Sequence, residues 1–266
     1  MPPAIDTVHA TITAAAVEPG GSPMVAVAGD SLALRSANGV IQLLNLWCDT
    51  DSPGYVQVTS PKLSDATRGI RSRLNTHDAR PLLPRDSNQY LYPVDVLAPT
   101  LASVAGAGKI DNLALLIYYA DLPGSAARFI DVPTLDKNAK EYLLVESTLT
   151  PAAGNVYSGT VALNALSDLG KAGSDYALVG YNCGSAGNGT SITWRGADTG
   201  NYRVSGPCAT AGADYTAQWF IELSDANALP LIPVFAYNNK AGIFVELVSN
   251  DLLGVIKVTS IFVRVS

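Results

Sequence analysis

A tryptophan, an aspartate four residues on and a tyrosine four after that occur twice in this chain, as Trp47, Asp51 and Tyr55 and again as Trp194, Asp198 and Tyr202. The offset is 194 − 47 = 147 residues. The same shift lays Leu91–Leu101 on Asn238–Val248 and Leu115–Tyr119 on Phe262–Ser266. These runs are rich in β-branched and aromatic residues and are bounded by turn formers, as strands are. Self-similarity at a fixed offset marks repeated structural units. The expectation is therefore two similar β units in tandem, with these six residues at matching positions.

Apolar runs of strand length fill both halves. In front they are Val8–Val17, Met24–Ala28, Leu32–Arg35, Val40–Trp47, Tyr55–Thr59, Leu91–Ala98 and Asn112–Tyr119. Behind they are Tyr142–Leu149, Val156–Leu163, Tyr176–Cys183, Thr190–Trp194, Asn201–Ser205, Tyr215–Leu223, Leu231–Tyr237, Gly242–Val248 and Val255–Val265. Gly20-Gly21, Asn38-Gly39, Pro53-Gly54, Asn188-Gly189 and Gly206-Pro207 punctuate them with turn chemistry. Pro61–Leu74, Asn164–Gly170 and a start at Leu135–Tyr142 are the expected short helices, and none carries an apolar stripe over several turns. The gap from Pro61 to Asn88 reads as a long surface insertion, with one front strand hidden in Pro81–Tyr90 or in the N-terminal arm. Asp121-Leu-Pro-Gly124 and the proline-punctuated Asp131–Asn138 place a seam near Asp131, giving units 1–130 and 131–266. The fold class is all-β, of sandwich, jelly-roll or barrel type, with few short helices.

Charged residues make up only 15% of the chain, against roughly 25% in ordinary soluble domains. Low surface charge points to a surface covered by neighbouring copies. A net charge of −6 argues against direct nucleic-acid binding, which draws on clustered Lys and Arg. The local exception is the segment 68–85, with Arg68, Arg71, Arg73, Arg80 and Arg85, read as a subunit-interface loop. No run is long and apolar enough to span a bilayer as a helix. The N-terminus alternates Val8, Ala10, Ile12, Ala14 and Ala16 without a basic region, a strand pattern and not a secretion signal, so the chain is expected to be made in the cytoplasm. Cys48, Cys183 and Cys208 are too few for a disulfide scaffold; Cys183 and Cys208 flank Trp194 and could pair across a hairpin, though free buried thiols are the simpler use.

Catalytic equipment is sparse. Gly29-Asp30-Ser31-Leu32 resembles the nucleophile block of the GDSL hydrolases, but a nucleophilic serine needs a histidine base. That family carries its base near the C-terminus, whereas the two histidines here are His9 and His77. No zinc or EF-hand spacing is present. Asp49 and Asp51 before Pro53-Gly54 are the one calcium candidate, with turn capping as the plainer use. The tryptophans suit either a sugar-stacking platform or a core role, and the apolar run ahead of Trp47 favours the core. The chain is expected not to be an enzyme and to need no cofactor.

Two tandem β units, an acidic low-charge chain of 27.7 kDa, one long inserted loop and no catalytic set resemble the double jelly-roll major capsid proteins of icosahedral viruses with an internal membrane, the tectivirus and corticovirus lineage. The resemblance is one of architecture and rests on no short motif. It implies two eight-stranded jelly rolls per chain. It also implies a homotrimer that imitates a hexagon, neighbouring capsomers and minor or membrane proteins of the virion as partners, and a place in the capsid. The competing reading is a two-domain carbohydrate-binding or fibre and spike adhesion protein.

Overall fold

The computed structural model describes residues 3–12, 20–62, 69–76, 79–84, 86, 89–103, 111–150, 157–162, 170–184, 189–208, 216–249 and 255–266. The protein is mainly β, in four antiparallel sheets consistent with two β-sandwich domains. The front half supplies β1 (Ala4–Ile12), β2 (Ser22–Pro23), β3 (Val25–Ala26), β4 (Ile41–Asp49), β5 (Gly54–Thr59), β6 (Ile70–Leu74), β7 (Gln89–Leu91), β8 (Ala98–Ser103) and β9 (Asp111–Tyr119). The rear half supplies β10 (Phe129–Ile130), β11 (Glu141–Leu149), β12 (Tyr157–Ala162), β13 (Asp175–Gly184), β14 (Gly189–Arg195), β15 (Val204–Pro207), β16 (Ile232–Ala236), β17 (Phe244–Ser249) and β18 (Ile256–Arg264). Two α-helices are described, α1 (Val132–Asn138), capped by the Asp131 carboxylate, and α2 (Trp219–Asn227), with 3-10 turns at Ala197–Thr199 and Tyr237–Gly242.

The front sheets run β3-β1-β9-β4-β7 and β2-β8-β5-β6, and the rear sheets β10-β16-β13-β18-β11 and β12-β17-β14-β15. Set aside the two-residue edge strands β3 and β10 and count the remaining strands of each half in chain order. Both halves then have one sheet in the order first, eighth, third, sixth and another in the order second, seventh, fourth, fifth. Strand pairing passes from the front sheets to the rear sheets between Tyr119 and Phe129.

Burial gives the layers. Every residue of β1, β4 and β9 is buried, on both faces of the strands. A strand buried on both faces needs cover on both sides of its sheet. One face of this five-stranded sheet closes the front core, with Leu43, Leu46, Cys48, Leu113, Leu115 and Ile117. The other presents Ile5, Trp47, Ala114 and Leu116 to the rear half, in one continuous cluster with Ile192, Trp194, Trp219 and Phe220. In β11, an edge strand, buried and exposed residues instead alternate from Val145 onward, so one of its faces is in water, whereas β13 of the same sheet is buried on both faces from Tyr176 to Tyr181.

Several expectations are corrected. Pro61–Leu74 contains no described helix; its end is strand β6, in which Arg71 and Arg73 alternate with Ile70 and Ser72. The supposed surface insertion thus contributes a sheet strand. Leu91–Ala98 is not one strand, because Pro93 and a left-handed Val94, φ 54°, break it between β7 and β8. Leu32–Arg35 reduces to a single bridge, Ala33 to Val96. Helix α1 ends before Lys140, and Tyr142 lies in β11. Of the strand expected at Tyr215–Leu223, residue 215 lies outside the described residues and the rest forms none: Trp219, Phe220, Leu223 and Ser224 are the buried residues of α2, a spacing that only a helix puts on one side. Of the helix expected at Asn164–Gly170, residues 164–169 lie outside the described residues.

The 147-residue register is also corrected. It lays β8 and β9 on β17 and β18, which hold the same places in the shared order, but it lays β4 on β14 and β5 on β15, which do not. Matched by place, the first strands differ by 141 − 4 = 137 residues, the third by 175 − 41 = 134 and the eighth by 256 − 111 = 145. The drift enters between the fifth and sixth strands, where the rear half inserts α2. Trp47 and Trp194 are therefore not equivalent residues.

Candidate functional site

The most elaborate chemistry lies where the halves meet, along the open edge of β1. That edge has main-chain groups to satisfy. Beyond its short pairing with β3, Thr7 N–H donates to Arg203 O at 2.8 Å, His9 N–H to Asp30 Oδ2 at 2.7 Å, and Val27 N–H to His9 O at 2.8 Å. The rear half thus caps the edge with its own backbone at Arg203.

Asp30 reaches this position through a tight turn. Its N–H returns to Val27 O at 2.9 Å, and Gly29 takes φ 94°, a left-handed conformation that glycine adopts without strain. The Gly29-Asp30-Ser31-Leu32 resemblance is thereby explained by a turn. Ser31 is exposed and its hydroxyl serves Ala33 of its own loop.

From Asp30 a chain of hydrogen bonds runs into the molecule. Tyr157 Oη lies 2.6 Å from Asp30 Oδ2 and 2.6 Å from His9 Nδ1, and His9 Nε2 lies 2.8 Å from Ser191 Oγ. Trp47 Nε1 donates to Ser191 Oγ at 2.9 Å and to Thr190 O at 3.0 Å. The single phenol proton goes to the carboxylate, the stronger acceptor, so Nδ1 of His9 carries a proton and donates to Tyr157. Each link joins a front residue to a rear one.

Charge closes the outer end. Arg203 Nη1 donates to Asp30 Oδ1 at 2.9 Å, and its guanidinium stacks 3.6 Å above the Tyr157 ring. Glu246, buried, accepts two bonds from Arg195 at 2.9 and 2.8 Å and lies 3.7 Å from Arg203. Asp6 accepts from Arg35 at 3.2 and 3.0 Å. Burial alone pushes Asp30 up, but the hydrogen bonds and charge of His9, with the Tyr157 bond, outweigh it and hold the carboxyl below its ordinary value. At Asp6 burial wins over Arg35 and the carboxyl is raised. Burial and the Asp30 charge push the Tyr157 phenol well up. A cleft of about 290 Å³ opens beside this cluster, lined by Asp6, Asp30, Ser31, Arg35, Asn201 and Arg203 among others.

The order serine, histidine, carboxylate is that of a nucleophilic triad, but here the serine lies beyond a substrate's reach. Ser191 is fully buried, its oxygen is taken by Trp47, and neither it nor His9 lines the cleft. What the arrangement does chemically is join the two halves with directional bonds, and at its buried inner end, Trp47, Ser191 and His9, each bond is stronger and each orphaned partner more costly than in water.

The residues singled out from the sequence scatter. Trp47 belongs to this seam, while Trp194 donates to Ser260 at 3.0 Å inside the rear core. Asp198, buried, accepts from Ala236 N–H at 3.1 Å and Asn239 at 2.9 Å. Asp51 is half-buried, its N–H on Asp111 at 2.9 Å. Tyr55 and Tyr202 each lie under an arginine, Arg71 at 3.6 Å and Arg35 at 4.6 Å. Arg71, Arg73 and Arg80 are exposed, and Arg68 and Arg85 lie outside the described residues. Asp49 is buried at the end of β4; among the described residues no group of three or more acidic, histidine or cysteine side chains is placed to hold a metal ion. Tyr157, Ser191 and Arg203 escaped the sequence reading, and His9 and Asp30 entered it only in weighing the hydrolase resemblance. One signal was available: Thr7, His9 and Thr11 put polar groups at every second position of β1, among apolar Ile5, Val8, Ala10 and Ile12.

No family model matches the chain, and no curated protein matches it. Among solved structures it is similar to the one described as "Crystal structure of PBSX exported protein XepA", at 9% identity and a TM-score of 0.27, over 96% of this chain and 86% of that one. A likeness that slight carries no inference.

Proposed function

We propose that this chain is a structural subunit of a viral shell, a major capsid protein of the double jelly-roll type, with units 1–130 and 131–266 as its two jelly rolls. The observation that carries the reading is the shared strand order: first-eighth-third-sixth opposite second-seventh-fourth-fifth, in both halves. That order supports the reading, because two Greek keys folded face to face would produce it in each jelly roll. Two such units per chain make six per trimer, and threefold symmetry then imitates a hexagon able to tile a shell.

The seam supports the same reading. A shell subunit has to keep its two units in fixed relative position, and the buried links from Trp47, His9 and Asp30 to Ser191, Tyr157 and Arg203 tie them. The low charge suits a surface covered by sister copies. Exposed Arg71, Arg73 and Arg80, with Arg68 and Arg85 of the same segment, are the proposed subunit contacts, facing acidic groups of a neighbour. Other capsomers and minor or membrane proteins of the virion would be the partners, the virion the location, and catalysis no part of the role. The adhesion alternative loses its tryptophan platform, since Trp47, Trp194 and Trp219 are all buried.

The test is assembly. Light scattering of the purified protein gives its mass, and negative-stain microscopy its packing; a trimer that forms hexagonal arrays is the expected result. A monomer at micromolar concentration, with no arrays, overturns the proposal.

A further inference from the structure

At one end of the rear sandwich two thiols meet. Cys183, near the end of β13, and Cys208, directly after β15, lie with their sulfurs 3.3 Å apart. These strands belong to the two different sheets of the rear half. Gly189 makes the approach possible: a Cβ there would press on the Cys208 sulfur at 2.6 Å. Both cysteines are reduced in this structure.

We infer that Cys183 and Cys208 form a redox site, converted by a small disulfide such as oxidised glutathione into a bond that staples the two rear sheets together. The sulfurs need close by little more than 1 Å to reach the disulfide length of about 2.05 Å. The roles are unequal. Cys183 is half-exposed, and the hydrogen bond from Cys208 outweighs burial and lowers its thiol below the ordinary value. Cys208 is buried, and its bond to Cys183, its burial and the Cys183 charge push it well up. Cys183 is thus the attacking thiolate and Cys208 the resolving thiol.

The chemistry balances. Cys183 Sγ attacks one sulfur of RSSR, the S–S bond breaks, RS⁻ leaves, and a mixed disulfide Cys183–S–SR remains. Cys208 then loses its proton and attacks Cys183 Sγ, the mixed bond breaks, and a second RS⁻ leaves. Two protein thiols give up two electrons, RSSR becomes two RSH, and the cysteine protons end on those thiols. Cys48 serves as internal control, for burial and then the charges of Asp111 and Asp49 raise its thiol far above the ordinary value.

The full chain is incubated with oxidised glutathione or with dithiothreitol, then unfolded, alkylated and weighed. The oxidised sample should carry one alkyl group, on Cys48, and the reduced sample three. The oxidised form should melt higher by about 5 °C or more, because the bond constrains the unfolded chain. Cys208→Ser should trap glutathione on Cys183, and Cys183→Ser should take up none. Three alkylated cysteines in wild type after prolonged oxidation overturn the inference without recourse to any variant. Glutathione trapped on Cys208 in Cys183→Ser, with none on Cys183 in the other variant, overturns the assigned roles.

Discussion

The indole of Trp47 donates one proton to two acceptors of the opposite half, Thr190 O at 3.0 Å and Ser191 Oγ at 2.9 Å, while its ring meets Trp219 edge-on at 5.9 Å. Trp47→Phe keeps an aromatic ring but loses the donor and leaves a void at a fully buried position. The expected loss is about 2–4 kcal/mol, the sum of a cavity and a broken buried bond. Urea unfolding should show a lower midpoint with unchanged slope. A shift equivalent to less than about 0.5 kcal/mol, the range of ordinary surface substitutions, would show that the indole does not tie the halves.

Tyr157 and Asp30 should act as a unit. Tyr157→Phe retains the ring beneath Arg203 but leaves His9 Nδ1 and Asp30 Oδ2 without their common partner. Each of Tyr157→Phe and Asp30→Asn should cost about 1–3 kcal/mol. Residues of one buried network do not add, so the double variant should lose less than the summed single losses by about 0.5–3 kcal/mol. Full additivity in a double-mutant cycle by denaturant unfolding would mean that the two side chains contribute separately.

Acid should expose the same link. The folded Asp30 carboxyl sits below its unfolded value, so its contribution is complete above the unfolded value, near about 3.9, and disappears as pH falls through the lower folded one. Asp6 runs the other way: its folded value is raised, so protonation in mild acid relieves a cost of burial. Asp30→Asn should therefore be less stable than wild type at pH 7, and the gap should close as pH falls through the lowered folded value, where the wild-type carboxyl takes up its proton. Stability curves measured across that range decide it; a gap that stays constant with pH would place the effect of Asp30 in packing and not in charge.

Fold class was legible where burial has a simple pattern. The apolar run Leu113–Tyr119 of β9 and that of β4, interrupted by Gln42 and Asn45, read as strands, and the Asn38-Gly39 and Pro53-Gly54 turns fall where β4 and β5 begin; cover on both faces is what the structure adds. Helix α2 was misread because Trp, Phe and Ile favour strands locally, whereas its placement depends on packing against β13, which is remote in sequence. The seam was hidden for a similar reason. His9 and Ser191 are separated by 182 residues, and no spacing rule links them. The Trp-Asp-Tyr coincidence misled in detail, because the inserted α2 lets one offset match late strands while missing early ones by one place in chain order.

Gly180 is the position where that remote packing is sharpest. It lies at the irregularity of β13, where the register against β18 shifts between Leu178 and Gly180. The segment leading into α2 crosses directly over it: Tyr181 N–H donates to Thr216 O at 2.9 Å, and a Cβ on residue 180 would collide with the carbonyl oxygen of Ala217. Backbone cannot swing aside as a side-chain tip can, so Gly180→Ala must displace α2 or break the β13 ladder. The expected loss is about 3 kcal/mol or more, in the range of overpacked cores. Gly242→Ala is the matched control, since a Cβ there meets no atom within 4 Å and should change stability by no more than about 0.5 kcal/mol. Thermal melts of the two variants side by side test this. Equal melting temperatures would mean that the segment leading into α2 does not rest on Gly180, and that the helix is held by its buried Trp219, Phe220 and Leu223 alone.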